Sequence, residues 1–459
     1  MKTLITFRKS IMLLVKALLV ASITFGFIEI WVTNYPSSLF SKNGNYVVIF
    51  SFVFLFLIFG SLYGAFRIGI SRIHELIYSF SLSIVITNFL MYLELSLIAR
   101  EMLSVQPILF GTIYQIAIAF LGCWCANIIY FKLYPAKKML AILDGDENGY
   151  ALINKINRMS ERFKLEKGIN ANTSSIEEIK KMIDGYECVV ICDIDKNLQR
   201  EILTYCYANK KSTYLLPDIT NIIINNAYSI QIGDSLVLRS RNHGLSPEQE
   251  VIKRAMDLVI SAIGLIVASP FMIITAIAIK LDDGGPIFFK QNRITKDGNI
   301  FNVLKFRSMI VDADKDGAKK AENDDNRITR VGKIIRACRV DELPQLINVL
   351  RGDMSIVGPR PERIENVYEY SKEYPEFELR HKVKGGITGY AQLYGKYNTS
   401  PKDKLNMDLM YIENYSLVQD LKLMILTFKV LFMKESTEGF DASANKSVTA
   451  SKSKKEVKK

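Results

Sequence analysis

The residues best suited to chemistry are two adjacent carboxylates, Asp341 and Glu342, in the stretch Arg339-Val340-Asp341-Glu342-Leu343-Pro344-Gln345-Leu346. Leu343, Leu346, Ile347 and Leu350 recur at helical spacing, and Pro344 suits only a first turn, so the pair is expected to open a short amphipathic helix. Neighbouring helical residues diverge by about 100°, so the two carboxylates do not share a proton, but in a first turn they can address one site together. The helix dipole, Arg336 and Arg339 would favour their ionised forms. That suits a nucleophile or a Mg²⁺ ligand better than a general acid. The structural alternative is a capping pair, because acids are common at helix N-termini; spacing alone leaves both open.

Other residue types narrow the chemistry. There are three histidines, His74, His243 and His381, too few and too scattered for a His-dependent triad or a His-ligated metal. The six cysteines, Cys123, Cys125, Cys188, Cys192, Cys206 and Cys338, show no zinc-ligand spacing and are expected to be buried, reduced thiols. A formal charge of +12 suits nucleic acid, an anionic bilayer face or a phosphate-rich substrate. No nucleic-acid-binding pattern is present, so the last two are preferred and nucleic acid is not expected as a partner. Two segments could meet phosphate. In Lys382-Val383-Lys384-Gly385-Gly386-Ile387-Thr388-Gly389, followed by Gly395-Lys396, lysines and backbone N–H groups can cradle phosphate oxygens, or the glycines serve turn geometry alone. The helical stretch 329–338 spaces Arg330, Lys333 and Arg336 three apart and leads into Asp341, which makes it a solvated face or a phosphate-facing one.

The elements that must position these groups begin with four apolar stretches, 11–32, 46–66, 76–98 and 108–131, each long enough to cross a hydrocarbon layer of about 30 Å as a helix. Lys2, Arg8, Lys9, Arg67, Arg72, Lys132, Lys137 and Lys138 mark one face as positive, so both ends of this four-helix transmembrane domain, 1–136, are expected in the cytosol. From 137 to 240, strands at 139–143, 188–192 and 213–216 alternate with helices at 150–162, 175–183 and 197–209, the mark of a Rossmann-like parallel α/β domain. Its first turn, Asp144-Gly145-Asp146-Glu147-Asn148-Gly149, carries acids where a dinucleotide phosphate would sit, which argues for a structural or regulatory role over an active nucleotide site.

A linker at 241–252 precedes the uncharged run 258–279. Its length alone predicts a fifth spanning helix. Ser269-Pro270 in its middle, and Lys253, Arg254 and Lys280 at its ends, favour a re-entrant helix, 255–280, that enters and leaves one leaflet. A hairpin across 287–309, a charged loop at 312–325, an interfacial helix at 420–433 and a disordered basic tail at 434–459 complete the expected chain.

From 253 to 433 the chain resembles the bacterial sugar transferase family, the monotopic phosphoglycosyl transferases. The motifs that carry the resemblance are Lys253-Arg254-x-x-Asp257, Ser269-Pro270, Gly284-Gly285-Pro286 to Arg293, Lys305-Phe306-Arg307-Ser308-Met309, Arg336, Asp341-Glu342-Leu343-Pro344-Gln345-Leu346, Gly352 to Pro361, Gly386-Ile387-Thr388-Gly389, and Asp408 through Asp420. With its N-terminal helices and Rossmann-like insert, the whole chain looks like the long, exopolysaccharide-initiating branch. The resemblance implies a mainly helical monotopic catalytic domain at a cell-membrane, cytosolic face. It also implies transfer of a sugar 1-phosphate from a UDP-sugar to undecaprenyl phosphate, with release of UMP, starting an exopolysaccharide or capsule repeat.

In that family the position of Asp341 is the nucleophile, Glu342 assists, and Mg²⁺, with Asp341 as its expected ligand, neutralises the diphosphate. Lys305, Arg307, Arg336 and Arg360 would hold phosphate. Pro359, Pro361, Lys384, Thr388, Lys396 and Asp408 would belong to the substrate and nucleotide loops, while Lys253, Arg254, Asp257, Ser269 and Pro270 would place the membrane helix. A homo-oligomer or polysaccharide-assembly partners are further expectations. The chain departs from the family pattern at Thr295 and at Gly385, and at Lys396, where arginine is common and a lysine offers a point charge rather than a fork. Two other readings are a glycosyl transferase releasing UDP, and a non-catalytic membrane scaffold or sensor of a polysaccharide assembly complex.

Overall fold

The computed structural model describes residues 7–35, 42–144, 147–157, 159–192, 194–240, 244–311, 325–395 and 399–431. They form two compact units, Met1–Leu216 and Pro217–Lys459. The expected tail, most of the charged loop, His243 and Lys396 lie outside the described residues.

The first unit opens with α1 (Arg8–Asn34), α2 (Lys42–Tyr63), α3 (Ile73–Ala99) and α4 (Gln106–Leu133), each long and apolar enough to cross a membrane. α1 packs on α4, α4 on α3 and α3 on α2 around an aromatic core in which the Phe27 and Phe52 rings stack 4.2 Å apart. At Gly111 an added Cβ would sit 1.8 Å from Ile30 Cδ1, so glycine is what allows α4 and α1 to approach. Inside, Asn88 donates to Gln115 (2.6 Å) and Gln115 to the Ile23 carbonyl (3.0 Å), which locks three helices in register.

The same unit continues with β1 (Lys137–Leu143), α5 (Glu147–Asn157), β2 (Phe163–Asn170), α6 (Ile176–Asp184), β3 (Cys188–Cys192), α7 (Lys196–Ala208) and β4 (Ser212–Leu215). The strands pair in parallel, as the alternation predicted, and their order is β2-β1-β3-β4. β2 had not been anticipated, because Phe163-Lys164-Leu165-Glu166-Lys167 reads as charged; it is an edge strand with only one neighbour. Cys123, Cys188, Cys192 and Cys206 are buried as expected, whereas Cys125 and Cys338 are exposed.

The second unit begins at Pro217, ahead of the expected 241–252 linker. Here α8 (Ile219–Asn225) packs on the later helix α14 (Pro401–Glu413) and places Ile222 in its core. A hairpin of β5 (Tyr228–Ile232) and β6 (Ser235–Arg239) follows. Next comes α9 (Pro247–Asp283), which starts inside the expected linker because Ser246 and Gln249 form a capping box with Pro247 in the first turn.

α9 remains helical through Ser269-Pro270. Pro270 cannot bond the carbonyl of Ile266, and the Ser269 hydroxyl donates to it instead, at 2.8 Å. Both ends of α9 pack on this one unit, and between them Ile263, Ile266, Val267, Phe271, Ile273 and Ile274 are exposed.

The remaining elements are the antiparallel hairpin β7 (Phe288–Ile294) and β8 (Ile300–Phe306), α10 (Arg330–Ala337), α11 (Gln345–Arg351), β9 (Ser355–Val357), α12 (Ile364–Glu373), β10 (Gly386–Thr388), α13 (Tyr390–Tyr394), α14 and α15 (Leu417–Leu431). β9 and β10 pair in parallel. A core containing Val349, Val357, Phe377, Leu405 and Tyr411 joins them.

Candidate active site

After α10 the chain turns sharply at Arg339, whose φ of 56° is left-handed, and makes a 3₁₀ turn, Val340–Glu342. Pro344 then caps α11 at φ −60°. Asp341 and Glu342 therefore precede the helix instead of filling its first turn. Lys305, at the end of β8, donates to Glu342 Oε1 at 2.7 Å, and Arg360, in the loop after β9, donates to the same oxygen at 2.8 Å. The Glu342 side chain is 13% exposed. Among the described residues, no ion pair or hydrogen bond engages the Asp341 carboxylate, so one member of the pair is gripped and the other is not.

The electrostatics differ accordingly. Burial by itself would raise Glu342, but Arg360 and Lys305 outweigh it and hold the carboxyl well below its ordinary value. Burial, and then the Glu342 charge, push Asp341 up, against the pull of Lys305, Arg336 and Arg339. The pull of Arg336 and Arg339 toward the anion is thus present at Asp341, as expected, but burial and the Glu342 charge outweigh it, whereas at Glu342 the cations prevail. Burial pulls Lys305 down, and burial together with Arg360 brings Arg293 to about 10.

Arg360 is held from behind. Arg380 donates to its carbonyl at 2.8 Å and pairs with Asp408 Oδ2 at 2.8 Å, both side chains almost wholly buried. Burial raises Asp408 to about 6 despite Arg380. Glu362 meets Lys404 at 3.3 Å and Arg293 at 3.9 Å. Burial would raise it, but Arg380, Lys404 and Arg293 keep it low.

The other expected residues are dispersed around this centre. Arg336 acts on Asp341 only through its field. Arg307 points away, pairing through both Nη atoms with Asp283 and donating from Nε to the Pro286 carbonyl at 2.7 Å. The Pro359 carbonyl accepts from Gly386 N (2.8 Å) and that of Pro361 from Arg293 (3.0 Å). Thr388 is buried in β10, 2.7 Å from the Thr427 hydroxyl. Lys384 is half-buried beside Arg254, and burial and that charge lower it.

Lys253 makes a buried pair with Asp420 at 2.5 Å. Arg254 caps the end of α11 through the Val349 and Leu350 carbonyls (2.6 and 2.8 Å). Asp257 accepts from Ile356 N (3.0 Å) and the Ser355 hydroxyl (3.1 Å). Thr295, a departure from the expected pattern, links the Asp353 carbonyl to Gly385 N, at 3.1 Å each. Glu362, Arg380, Lys404 and Asp283 are not among the residues expected from the sequence, and Arg293 and Asp420 enter there only as the ends of motifs, with no role assigned. The one available signal was the placement of Glu362 directly after Arg360-Pro361.

Comparison with known proteins bears on the second unit. Residues 248–434 match the family model described as bacterial sugar transferase. Over 189 residues, 40% of this chain and 45% of the relative, the chain is 43% identical to the UDP-N-acetylgalactosamine-undecaprenyl-phosphate N-acetylgalactosaminephosphotransferase of Aeromonas hydrophila. It is 36% identical over 262 residues, 55% of each, to the UDP-glucose:undecaprenyl-phosphate glucose-1-phosphate transferase of Escherichia coli strain K12. The matches thus span about half the length of these two relatives. The exopolysaccharide production protein PSS of Rhizobium leguminosarum is 41% identical over 186 residues, 39% of this chain and 93% of that relative. With the Asp341-Glu342 site built inside the matched segment, and a relative covered almost end to end, the chain belongs to the bacterial sugar transferase family.

Proposed function

We propose that this protein transfers a sugar 1-phosphate from a UDP-sugar to undecaprenyl phosphate, starting a lipid-linked exopolysaccharide or capsule repeat. An Asp341 carboxylate oxygen attacks the phosphorus that bears the sugar. The bond from that phosphorus to the bridging oxygen breaks, and UMP leaves with the oxygen. A phosphate oxygen of the lipid then attacks the phosphosugar-aspartyl intermediate, displaces the carboxylate and forms the polyprenyl diphosphate sugar. The observation that carries this reading is the free Asp341 carboxylate beside a Glu342 clamped by Lys305 and Arg360. Those cations, with Arg293 and Arg336 nearby, present fixed positive charge where phosphoryl oxygens gain negative charge.

Mg²⁺ fits this residue set in one way. Among the described residues no group of three or more His, Cys, Asp or Glu could cage an ion, so Asp341 would hold it together with diphosphate oxygens, the ordinary mode for Mg²⁺. Bound there, the ion would neutralise diphosphate charge.

The re-entrant reading of α9 places this chemistry at the cytosolic surface of the cell membrane. At 37 residues the helix is about 55 Å long, yet both of its ends are tied to the same unit, which suits a helix that dips into one leaflet. Cysteines placed at the exposed positions 251 and 281 are then both labelled from the cytosolic side only; labelling of either from outside intact cells overturns this topology.

The catalytic reading is tested by incubating membranes with Mg²⁺, undecaprenyl phosphate and a panel of UDP-sugars. Release of UMP with at least one sugar is expected. UDP instead of UMP would indicate glycosyl transfer, and neither product from folded protein would support the scaffold.

A further inference from the structure

Of the two cations that clamp Glu342, Lys305 lies on β8 and Arg360 on the loop that follows β9, and β8 and β9 are tied to opposite ends of α9. On the β9 side, Asp257 near the start of α9 accepts from Ile356 N and from the Ser355 hydroxyl. Lys253 reaches the same strand through Asp420, whose partner Tyr411 lies 3.2 Å from the Val357 carbonyl. Arg360 follows three residues later. On the β8 side, Asp283, the last residue of α9, takes the guanidinium of Arg307 in a bidentate pair, and Arg307 stands two residues after Lys305. An added Cβ at Gly285 would lie 2.6 Å from Arg307 Nη1, so the helix exit closes directly over the guanidinium, which is 6% exposed. Beside it, Asp282 accepts from Val331 N at the start of α10, the helix that leads to Arg339 and the 3₁₀ turn.

We infer that Arg307 is a positioning residue and not a phosphate ligand: with Asp283 at one end of α9 and Asp257 at the other, it braces β8 and β9 so that Lys305 and Arg360 converge on Glu342. The inference rests on the phosphoglycosyl transferase reading and adds to it the way the membrane helix shapes the site. Three of the five Arg307 N–H groups are committed to Asp283 and Pro286. A fork already engaged in this way is poorly available to a diphosphate, while a shift of the braced strands moves both cations together.

The test uses the full chain in membranes, with the UDP-sugar that gives UMP with the wild type. Asp283→Ala and Arg307→Ala are each expected to lower kcat by about ten- to a hundredfold, the scale of a small misplacement of catalytic groups, with KM for the UDP-sugar within about twofold. The double variant is no worse than the weaker single one, and exchanging the charges, Asp283→Arg with Arg307→Asp, recovers most of the rate. At the other end, Asp257→Asn keeps an acceptor for Ile356 N and retains activity that Asp257→Ala loses.

Arg307→Lys and Asp283→Asn, which disturb the helix end less, give the same split at smaller size if the alanine variants fail to fold by circular dichroism. A much higher KM for Arg307→Ala than for Asp283→Ala, with no recovery on charge exchange, would assign Arg307 to substrate phosphate and overturn the brace. No UMP from the wild type with any UDP-sugar would remove the catalytic reading itself, a result distinct from a wild type that works with the wrong variant pattern.

Discussion

At the scale of residues, the proposed reaction rests on the contrast between Glu342, gripped by Lys305 and Arg360, and Asp341, whose carboxylate no ion pair or hydrogen bond among the described residues engages. An amide cannot attack phosphorus, so Asp341→Asn is expected to lower the initial rate of UMP release by about a thousandfold or more, the scale seen when a nucleophile is removed. Retention of a substantial rate in a folded preparation would remove Asp341 from the reaction. Asp408 offers a separate test through pH. Its carboxyl titrates near 6 in the fold, against about 3.9 in an unfolded chain, so the folded state binds that proton more tightly. Stability from this group is full below about pH 4 and is lost as pH rises through about 6, an effect of up to roughly 3 kcal/mol. Glu342 and Glu362 act with the opposite sign, losing their contribution as the medium turns acid. The wild type minus Asp408→Asn difference in Tm between pH 4 and 6 isolates the Asp408 part, and a flat difference would show that the group does not titrate there.

At the scale of elements, α9 carries an unusual helix interior. The Ser269 hydroxyl satisfies the Ile266 carbonyl that Pro270 leaves without a donor. In an apolar surrounding an unmet carbonyl costs about 1–3 kcal/mol, so Ser269→Ala is expected to reduce thermal stability in lipid nanodiscs by that order. Pro270→Ala restores a backbone N–H, after which Ser269→Ala becomes nearly neutral. Equal costs for Ser269→Ala with and without Pro270 would show that the hydroxyl does not serve this carbonyl. The helix was readable as an element because Leu258 to Ile279 is uncharged. Its true start was hidden in the expected linker, where a capping box outweighed the loop-like composition. β2 was missed for a related reason: a strand at the sheet edge can carry lysine and glutamate on its open side, and the alternation that marks it is weak.

At the scale of the whole molecule, the second unit contains its own core and the complete Glu342 clamp. Residues 217–459, expressed alone in membranes, are therefore expected to release UMP within about tenfold of the full-length rate, as an independently folding domain should. A folded but inactive fragment would assign the first unit a part in catalysis. The sequence by itself determined the apolar spans, the parallel α/β alternation and the β7–β8 hairpin, and it singled out the adjacent carboxylates on which the proposed reaction rests, because periodicity and adjacent residue types are local properties. Only the tertiary structure decided which carboxylate is gripped. Lys305 and Arg360 stand 37 and 18 residues from Glu342 along the chain and meet at one of its oxygens, and Arg307, alike in type and two residues from Lys305, faces Asp283 instead. A charge in a motif states what it can bind, but its partner is set by how strands and helices far apart in sequence pack together.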